Sequence, residues 1–190
     1  MNDGFIPVHG GYRDLCSYRK AVIVYDATVR CCDRFVPRHG DRTRDQMIQA
    51  ARSGKQNIVE GSQMSGTSKE LELKLTNVAR ASLEELAEDY CDFLRLRGAA
   101  EWPATHPYAR RLRALNRQPN ADYETFRKGI EHEDPLIAAN VILGLTRATC
   151  YLLDQQLRQL EQAFLEKGGL REAMTRARLS RRASQQRGIP

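Results

Sequence analysis

Residues 136–164 read LIAANVILGLTRATCYLLDQQLRQLEQAF, and this stretch decides the fold class. Apolar or small side chains recur through it at alternating spacings of three and four residues. They are Leu136, Ala139, Leu143, Thr146, Cys150, Leu153, Leu157, Leu160 and Phe164. This heptad spacing places them along one side of a long α-helix. Gly168 and Gly169 begin four residues after Phe164 and predict the end of that helix.

Three earlier segments of the chain show the same helical periodicity. Two of them open with the spacing of a capping box, Thr43-x-x-Gln46 and Thr67-x-x-Glu70. In that motif the hydroxyl accepts from a backbone N–H of the first turn, and the Gln or Glu side chain reaches back. The first predicted helix begins at Leu15 and is ended by Pro37 and Gly40. The second runs from Thr43 to Gly61. The third runs from Thr67 to about Arg97, with Gly98 as its C-cap.

The apolar stripes of the first and third helices predict which side chains face the core. On the first helix they are Leu15, Tyr18, Val22, Tyr25, Val29, Cys32 and Val36. On the third they are Leu71, Leu75, Val78, Leu83, Leu86, Tyr90 and Leu94.

Four long helices without any segment typical of a strand predict an all-α protein, an up-down four-helix bundle. A proline-containing stretch before the fourth long helix is too long for a plain connection, and we expect an ordered insertion lying over the bundle. Within it, 108–117 and 123–129 could each form a short helix. The predicted organisation is one domain, with three helices in 1–98, the insertion in 99–134, the fourth long helix in 135–168 and a basic C-terminal helix in 169–190.

The positive charge of the chain is concentrated at its C-terminal end. The 190 residues carry a net charge of +6, from 30 Lys and Arg against 24 Asp and Glu. Residues 171–190 contain six arginines and one glutamate, so the remaining 170 residues hold 24 basic and 23 acidic side chains. We therefore expect a nearly neutral body and a basic tail.

Composition argues against several classes of protein. No run of eighteen apolar residues predicts a transmembrane helix, and the first residues lack the basic and apolar regions of a secretory signal. The five cysteines include no C-x-x-C pair, and adjacent Cys31 and Cys32 would face different sides of a helix. This pattern favours reduced thiols in a cytoplasmic protein over a disulfide framework or a zinc site.

No motif in the chain predicts catalysis, a metal site or a cofactor. Glu131-His132-Glu133-Asp134 has the composition of a metal cluster, but a solvated helix start is the favoured interpretation. Glu84, Glu88 and Asp92 share one helix face, which could hold magnesium; a solvated face or a docking surface for a basic segment is favoured. We therefore predict a protein that is not an enzyme.

Basic side chains provide the candidate nucleic-acid-binding residues. Arginine-rich helices neutralise phosphates, so the tail is the leading candidate. A solubilising tail, or one that docks onto the acidic patch of a neighbouring subunit, explains the same residues nearly as well. The candidates are Arg171, Arg176, Arg178, Arg181 and Arg182 in the tail, with Arg52 and Lys55 in the second helix.

The second helix carries small residues where a bundle usually has leucine. Ala50, Ala51, Ser53 and Gly54 would permit close approach of another helix. Either an oligomer interface or a cramped contact within the chain accounts for them. Asn57 and Glu60 would need polar partners if they were buried.

Three groups of residues resemble one protein family. They are Gln46-x-x-x-Ala50-Ala51-Arg52-Ser53-x-x-x-Asn57-Ile58-x-Glu60-Gly61, then Ala79-x-x-Ser82-x-x-Glu85-Leu86, and later Tyr151-Leu152-Leu153-Asp154-x-Gln156-Leu157. This pattern resembles the four-helix-bundle family of 23S rRNA intervening-sequence proteins. That family includes the accessory variability determinant of diversity-generating retroelements. The later part is similar to a longer branch with a four-helix-bundle suffix domain.

The resemblance implies a helical bundle that assembles as a ring, typically a homopentamer, without catalysis. It also implies binding of nucleic acid and of a partner reverse transcriptase. This chain departs from the family pattern by the insertion at 99–134 and by its nearly neutral body, which moves the expected nucleic-acid contacts to the tail. We therefore expect a non-enzymatic, oligomeric, nucleic-acid-binding bundle, an accessory to a reverse transcriptase or RNA-processing partner. The alternative is a structural scaffold or protein-interaction module without nucleic-acid binding.

Overall fold

The structure, a computed structural model, describes residues 9–36 and 42–187. Its regular elements in these ranges are all helical, which confirms the predicted all-α class. A short 3₁₀ turn at Tyr12–Asp14 precedes α1 (Cys16–Phe35), α2 (Thr43–Met64), α3 (Lys69–Arg95), α4 (Pro107–Asn116), α5 (Tyr123–Ile130), α6 (Pro135–Lys167) and α7 (Leu170–Arg187). Pro37 and Gly40, predicted to end α1, lie outside the described residues.

Both predicted capping boxes are wrong. The N-cap of α2 is Arg42, which makes no side-chain capping bond, so Thr43 already belongs to the helix. The N-cap of α3 is Ser68, whose hydroxyl accepts from the Leu71 N–H at 3.2 Å. Ser68 offers the same short hydroxyl as Thr67, one residue later along the chain.

Gly61 does not end α2, which continues to Met64. A Cβ at Gly61 would lie 3.4 Å from the Glu72 carbonyl oxygen and 3.4 Å from the Leu75 Cβ. A methyl group at this position would therefore reach α3 at van der Waals contact distance, near the turn that joins the two helices.

Gly98 has the predicted capping role. Its φ is +72°, its N–H bonds to the Arg95 carbonyl at 3.0 Å, and the Ala99 N–H bonds to the Leu94 carbonyl at 3.0 Å. These two bonds are those of a Schellman motif, whose left-handed residue is usually glycine. The chain thus leaves α3 in a defined direction and enters the insertion.

The four long helices form a common core. α1 packs against α2 and α6, and α3 packs against the same two helices. Tyr90 is fully buried at the centre and donates its hydroxyl hydrogen to Thr28 across the core, at 3.2 Å. Other large side chains buried there include Met47, Ile58, Leu83, Leu86, Leu94, Ile142, Leu143 and Leu153.

The core face of two helices differs from the predicted stripes. Leu71 and Val78 of α3 are 43% and 45% exposed, so they lie outside the core face of that helix. On α1, the predicted Val22 is only half-buried, whereas Ala21, Val24, Ala27 and Cys31 are completely buried. α1 contacts α2, α5 and α6, so small residues face the closest neighbours and the larger ones pack at the edges.

The insertion contains α4 and α5, close to where the sequence predicted two short helices. α4 packs against α6, and α5 packs against α6 and α1. Leu112 of α4 and Phe126 of α5 are buried in these contacts. A Cβ at Gly144 of α6 would lie 2.5 Å from Leu112 Cδ2, so α4 lies directly on the α6 backbone.

A buried amide fixes the start of the insertion to α6. Asn140 is 5% exposed and accepts the Trp102 N–H at 2.8 Å through its side-chain oxygen. Its amide nitrogen donates to the Leu136 and Ala100 carbonyls at 3.0 and 3.4 Å. The oxygen and the nitrogen of one side-chain amide therefore both hold the segment after α3 against α6.

One stretch of the described chain could cross a membrane by length and composition. Pro135–Gln186 contains an 18-residue window with a mean hydropathy of 1.6, and 61% of that window is buried inside the protein. The central part of α6 packs against α1, α3, α4 and α5, which explains its apolar composition.

Candidate functional site

The tail arginines lie on α7, which is exposed along most of its length. Every side chain from Met174 to Gln186 is exposed. Arg176 donates to the Lys167 carbonyl oxygen at 2.7 Å. The other four candidates on α7 make no ion pair with any residue that the structure describes; they are Arg171, Arg178, Arg181 and Arg182. Their charges are therefore available to a partner.

Two glycines separate α7 from α6. Gly168 is the C-cap of α6, with a φ of +71° that favours glycine, and its N–H bonds to the Phe164 carbonyl at 2.8 Å. The Gly169 N–H donates to Glu172 at 2.9 Å. Glu172, the one acid of the tail, therefore caps the first turn of α7.

Arg52 and Lys55 of α2 have different surroundings. Arg52 is exposed and forms no ion pair within the described residues. Lys55 is half-buried, with its ammonium 4.1 Å from the centre of the Tyr25 ring. Burial raises the pKa of the nearby Asp26 carboxyl, and the charge of Lys55 partly opposes this rise.

The structure does not join the α2 candidates to the tail candidates. α2 and α7 do not pack against each other in the described part of the chain. Two other basic residues, close to the residues that carry the family resemblance, form ion pairs within the chain. Arg44 pairs with Asp33 at 2.5 Å, and Arg80 pairs with Asp154 at 3.4 Å.

The acidic face of α3 is paired with arginines. Arg147 of α6 lies 2.9 Å from Glu84 and 3.4 Å from Glu88, and Arg95 lies 2.6 Å from Asp92. These three carboxylates are those that sequence reasoning considered for magnesium or for docking of the tail. Because arginines already contact all three, the face offers a docking tail much less charge than its composition indicates.

Asp89 is the acid of α3 with the most altered ionisation. Burial, together with the neighbouring charges of Glu85 and Asp92, raises the pKa of its carboxyl to about 6. At neutral pH the folded protein therefore carries a half-buried carboxylate close to two others.

The buried cysteines are poor nucleophiles. Burial raises the pKa of the Cys31 thiol to about 11 and that of the Cys32 and Cys150 thiols to about 12. The reactive form of cysteine is the thiolate, so these three thiols are protonated and unreactive at neutral pH. All five cysteines of the chain are free.

The Glu131–Asp134 segment connects α5 to α6, and the favoured helix start applies to its last residue alone, since Glu131 is the C-cap of α5. Asp134 is the N-cap of α6 and accepts the Leu136 N–H at 2.8 Å. His132 accepts the Asp134 N–H at 3.0 Å through Nδ1. Glu131 accepts the Tyr123 hydroxyl at 3.1 Å. The polar groups of this segment are thus used for capping and for local hydrogen bonds.

The small residues of α2 make a contact within the chain. A Cβ at Gly54 would lie 2.6 Å from Leu83 Cγ, so α2 and α3 meet here without a side chain between them. Ser53 and Ser82 share a hydrogen bond of 2.9 Å beside this contact. Asn57 donates to the Ser53 carbonyl at 2.9 Å. The intrachain alternative therefore accounts for the small stripe, and Glu60 is exposed.

Sequence reasoning missed the basic residues that lie between α6 and its neighbours. Arg147 lies on α6, which the sequence predicted from its apolar stripe alone. Its acidic partners lie on other segments of the chain, so only the structure shows these ion pairs. Lys20 was detectable in principle, because it shares a face of α1 with Val24, Ala27 and Cys31 at helical spacing. A lysine in a fully buried register is an exception that a sequence scan can detect.

Comparison with known proteins identified no relative. No family profile, no curated protein and no solved structure matches the chain.

Proposed function

We propose that this protein is a non-enzymatic helical bundle that binds nucleic acid through α7. The supporting observation is a solvent-exposed helix with six arginines and one acid, four of whose arginines form no ion pair in the described chain. Such a helix binds the phosphates of a nucleic acid whatever its nucleotide sequence, because binding releases counterions from the nucleic acid. A half-buried lysine and an exposed arginine of α2, Lys55 and Arg52, are proposed as secondary contacts.

The packing of the long helices supports the up-down bundle that we propose as the architecture. Arg147 meets Glu84 while Arg80 meets Asp154, so residue numbers rise along α6 as they fall along α3. Ser17 at the start of α1 bonds to Gln156 near the end of α6, at 2.8 Å, which indicates the same relation for that pair. Short connections between long neighbouring helices are typical of this arrangement.

We also propose that the protein self-associates, with the pentameric ring of the resembled family as the expected form. The heptad seam of α6 continues past Leu153, the last completely buried residue of α6, to Phe164, which is 40% exposed. Leu71 at the start of α3 is 43% exposed at the same end of the long helices. A second copy would cover these apolar side chains.

Two aspects of the proposal rest on resemblance and composition. The 23S rRNA intervening-sequence family supports a reverse transcriptase or another RNA-processing protein as the partner. Five free cysteines support a reducing, cytoplasmic location. The alternative scaffold function needs the tail to dock on Glu84, Glu88 and Asp92 of another subunit, and the intrachain arginine pairs described above weaken that alternative.

The first test measures how nucleic-acid affinity depends on salt. The variant Arg178→Gln/Arg181→Gln/Arg182→Gln removes three unpaired charges from α7. Each lost phosphate contact reduces the slope of log K against log salt by about 0.7 for a single strand and about 0.9 for duplex DNA. We therefore expect the slope to fall by about two to three, measured by fluorescence anisotropy of labelled RNA and DNA.

The matched control removes three charges that are already paired within the chain. Lys74→Gln/Arg95→Gln/Arg127→Gln replaces exposed side chains that contact Glu70, Asp92 and Glu124, respectively. It changes the net charge equally, and we expect nearly the wild-type slope. Equal slopes for the tail variant and the wild type would refute the role of α7. If the slope falls equally in both variants, nucleic-acid binding depends on the net charge of the protein and not on α7.

A further inference from the structure

A cavity of about 510 Å³ lies where the insertion covers α6 and α1. Its volume is within the range of pockets that hold small molecules, roughly 300–1,000 Å³. Much of its wall is apolar: Trp102 and Leu112 from the insertion and Tyr151 and Leu152 from α6. The cavity therefore has room and apolar surface for the body of a small organic molecule.

Lys20 of α1 lines this cavity and is only 8% exposed. Its ammonium nitrogen is buried and has no hydrogen-bond acceptor among the described residues. It lies 4.7 Å from the centre of the Phe126 ring. Burial lowers the pKa of Lys20; Cys16 partly opposes this shift, and the charge of Arg19 adds to it. A buried cation without an acceptor destabilises the folded protein. An anionic ligand beside Lys20 would neutralise this charge and remove the penalty.

The other polar groups of the cavity favour an anion as well. Three arginines and one acid line it: Arg113, Arg117, Arg147 and Glu101. Arg147 lies 3.7 Å from Glu101, so this acid is already paired. Arg113 donates to the Ala104 carbonyl oxygen and contacts no acid in the described chain. The cavity therefore keeps an excess of positive charge.

A second buried atom in the same wall lacks a partner. The side-chain oxygen of Asn116 is buried and accepts no hydrogen bond from the described residues. Buried acceptors are normally satisfied, so this oxygen is suited to a ligand hydroxyl or N–H. Lys20 and Asn116 come from different elements, α1 and α4, and both line this cavity.

We propose that this cavity binds a small organic oxyanion with an apolar body, its charged end paired with Lys20. The oxyanion is a carboxylate or a phosphate ester, and its body packs between Trp102 and Leu112. The proposal is independent of nucleic-acid binding by α7, because the cavity and the tail share no residue.

The test compares a charged probe with its uncharged counterpart. Anilinonaphthalene sulfonate has an aromatic body, an N–H donor and a negative charge, and phenylnaphthylamine has the same body without the charge. Trp102 is the one tryptophan of the chain, so its emission reports on the wall of the cavity. We expect the full-length protein to bind one sulfonate probe with quenching of Trp102.

Lys20→Met is the decisive variant. A hydrogen bond to a charged group in a buried site accounts for about tenfold to a hundredfold in affinity. We expect the sulfonate to lose that much affinity while the uncharged probe binds as before. The variant should melt no lower than the wild type, because methionine removes an unpaired charge and keeps the volume.

Three further variants show whether the effect belongs to the cavity. Lys74→Met removes an exposed lysine of α3, and the α7 triple Arg→Gln variant removes the tail charges; both should bind the sulfonate like the wild type. Arg113→Gln/Arg117→Gln changes two exposed side chains that line the cavity and should weaken binding of the sulfonate. This variant tests the proposal even if Lys20→Met fails to fold.

Competition identifies the class of oxyanion. Hexanoate and hexyl phosphate are added to the bound sulfonate probe, with hexanol as the uncharged control. Displacement by one or both anions supports the proposal and names the class. It is overturned if hexanol competes as well as the anions, if neither anion competes, or if Lys20→Met leaves sulfonate affinity unchanged.

Discussion

Asp89 shows how a single side chain can make stability depend on pH. Its carboxyl has an ordinary pKa of 3.8 in the unfolded chain and about 6 in the folded protein, because it is half-buried near Glu85 and Asp92. Between these two values the folded state binds more protons than the unfolded state. The free energy of unfolding therefore decreases as the pH rises through this window.

Asp89→Asn should remove that dependence. We expect the variant to be about 1 kcal/mol more stable than the wild type at pH 7, after allowance for solvent screening, and to lose this advantage near pH 4. Urea denaturation at several pH values between 4 and 7 measures the difference. Glu161→Gln, at an exposed position of α6, is the control and should track the wild type. A constant difference between Asp89→Asn and the wild type across this range would contradict the assignment.

At the scale of the helix, the contact between α2 and α3 depends on a glycine. Gly54 has Leu83 where its Cβ would be, and Leu83 is completely buried, so that side chain has no space to move into. Gly61, seven residues later on the same helix, has only ordinary contacts at 3.4 Å. The same substitution at the two positions should therefore have opposite effects.

Gly54→Ala should destabilise the protein by about 1–3 kcal/mol, because overpacking outweighs the better helix propensity. Gly61→Ala should be neutral or stabilising by up to about 1 kcal/mol, since alanine favours the helix and the contact can accept a methyl group. Chemical denaturation of the two variants beside the wild type provides the comparison. Equal effects at both positions would show that helix propensity, and not the α2–α3 contact, governs this seam.

The elements also show how far sequence reasoning reaches. Periodicity predicted the long helices, because burial of one face imposes a 3.6-residue repeat. Capping boxes failed at Thr43 and Thr67, since a hydroxyl near a helix start does not decide which residue becomes the N-cap. The cavity was not predictable, because Lys20 and Asn116 are 96 positions apart and line one cavity only once α4 has packed on α6.

At the scale of the whole molecule, two exposed apolar side chains, Leu71 and Phe164, lie at the end of the long helices where we propose that copies of the chain associate. Leu71→Glu/Phe164→Glu should reduce the mass of the proposed assembly to that of one chain, because each charge would be buried against a neighbour. Sedimentation equilibrium measures this mass. Leu96→Glu is the control, since Leu96 is 74% exposed at the other end of α3. A wild-type protein that is already monomeric would contradict self-association.

The position of α6 in the chain orders the events of synthesis. α1, α2 and α3 emerge first, yet α1 and α3 each have α6 as one of their two long neighbours. The core therefore cannot close until α6 has been made, and a chain interrupted before that point exposes its apolar faces to chaperones and proteases. α7 is made after α6, so the arginine-rich helix is present only on chains that already contain every helix of the core. A partner that binds α7 would thus meet a chain in which every core helix has already been synthesised.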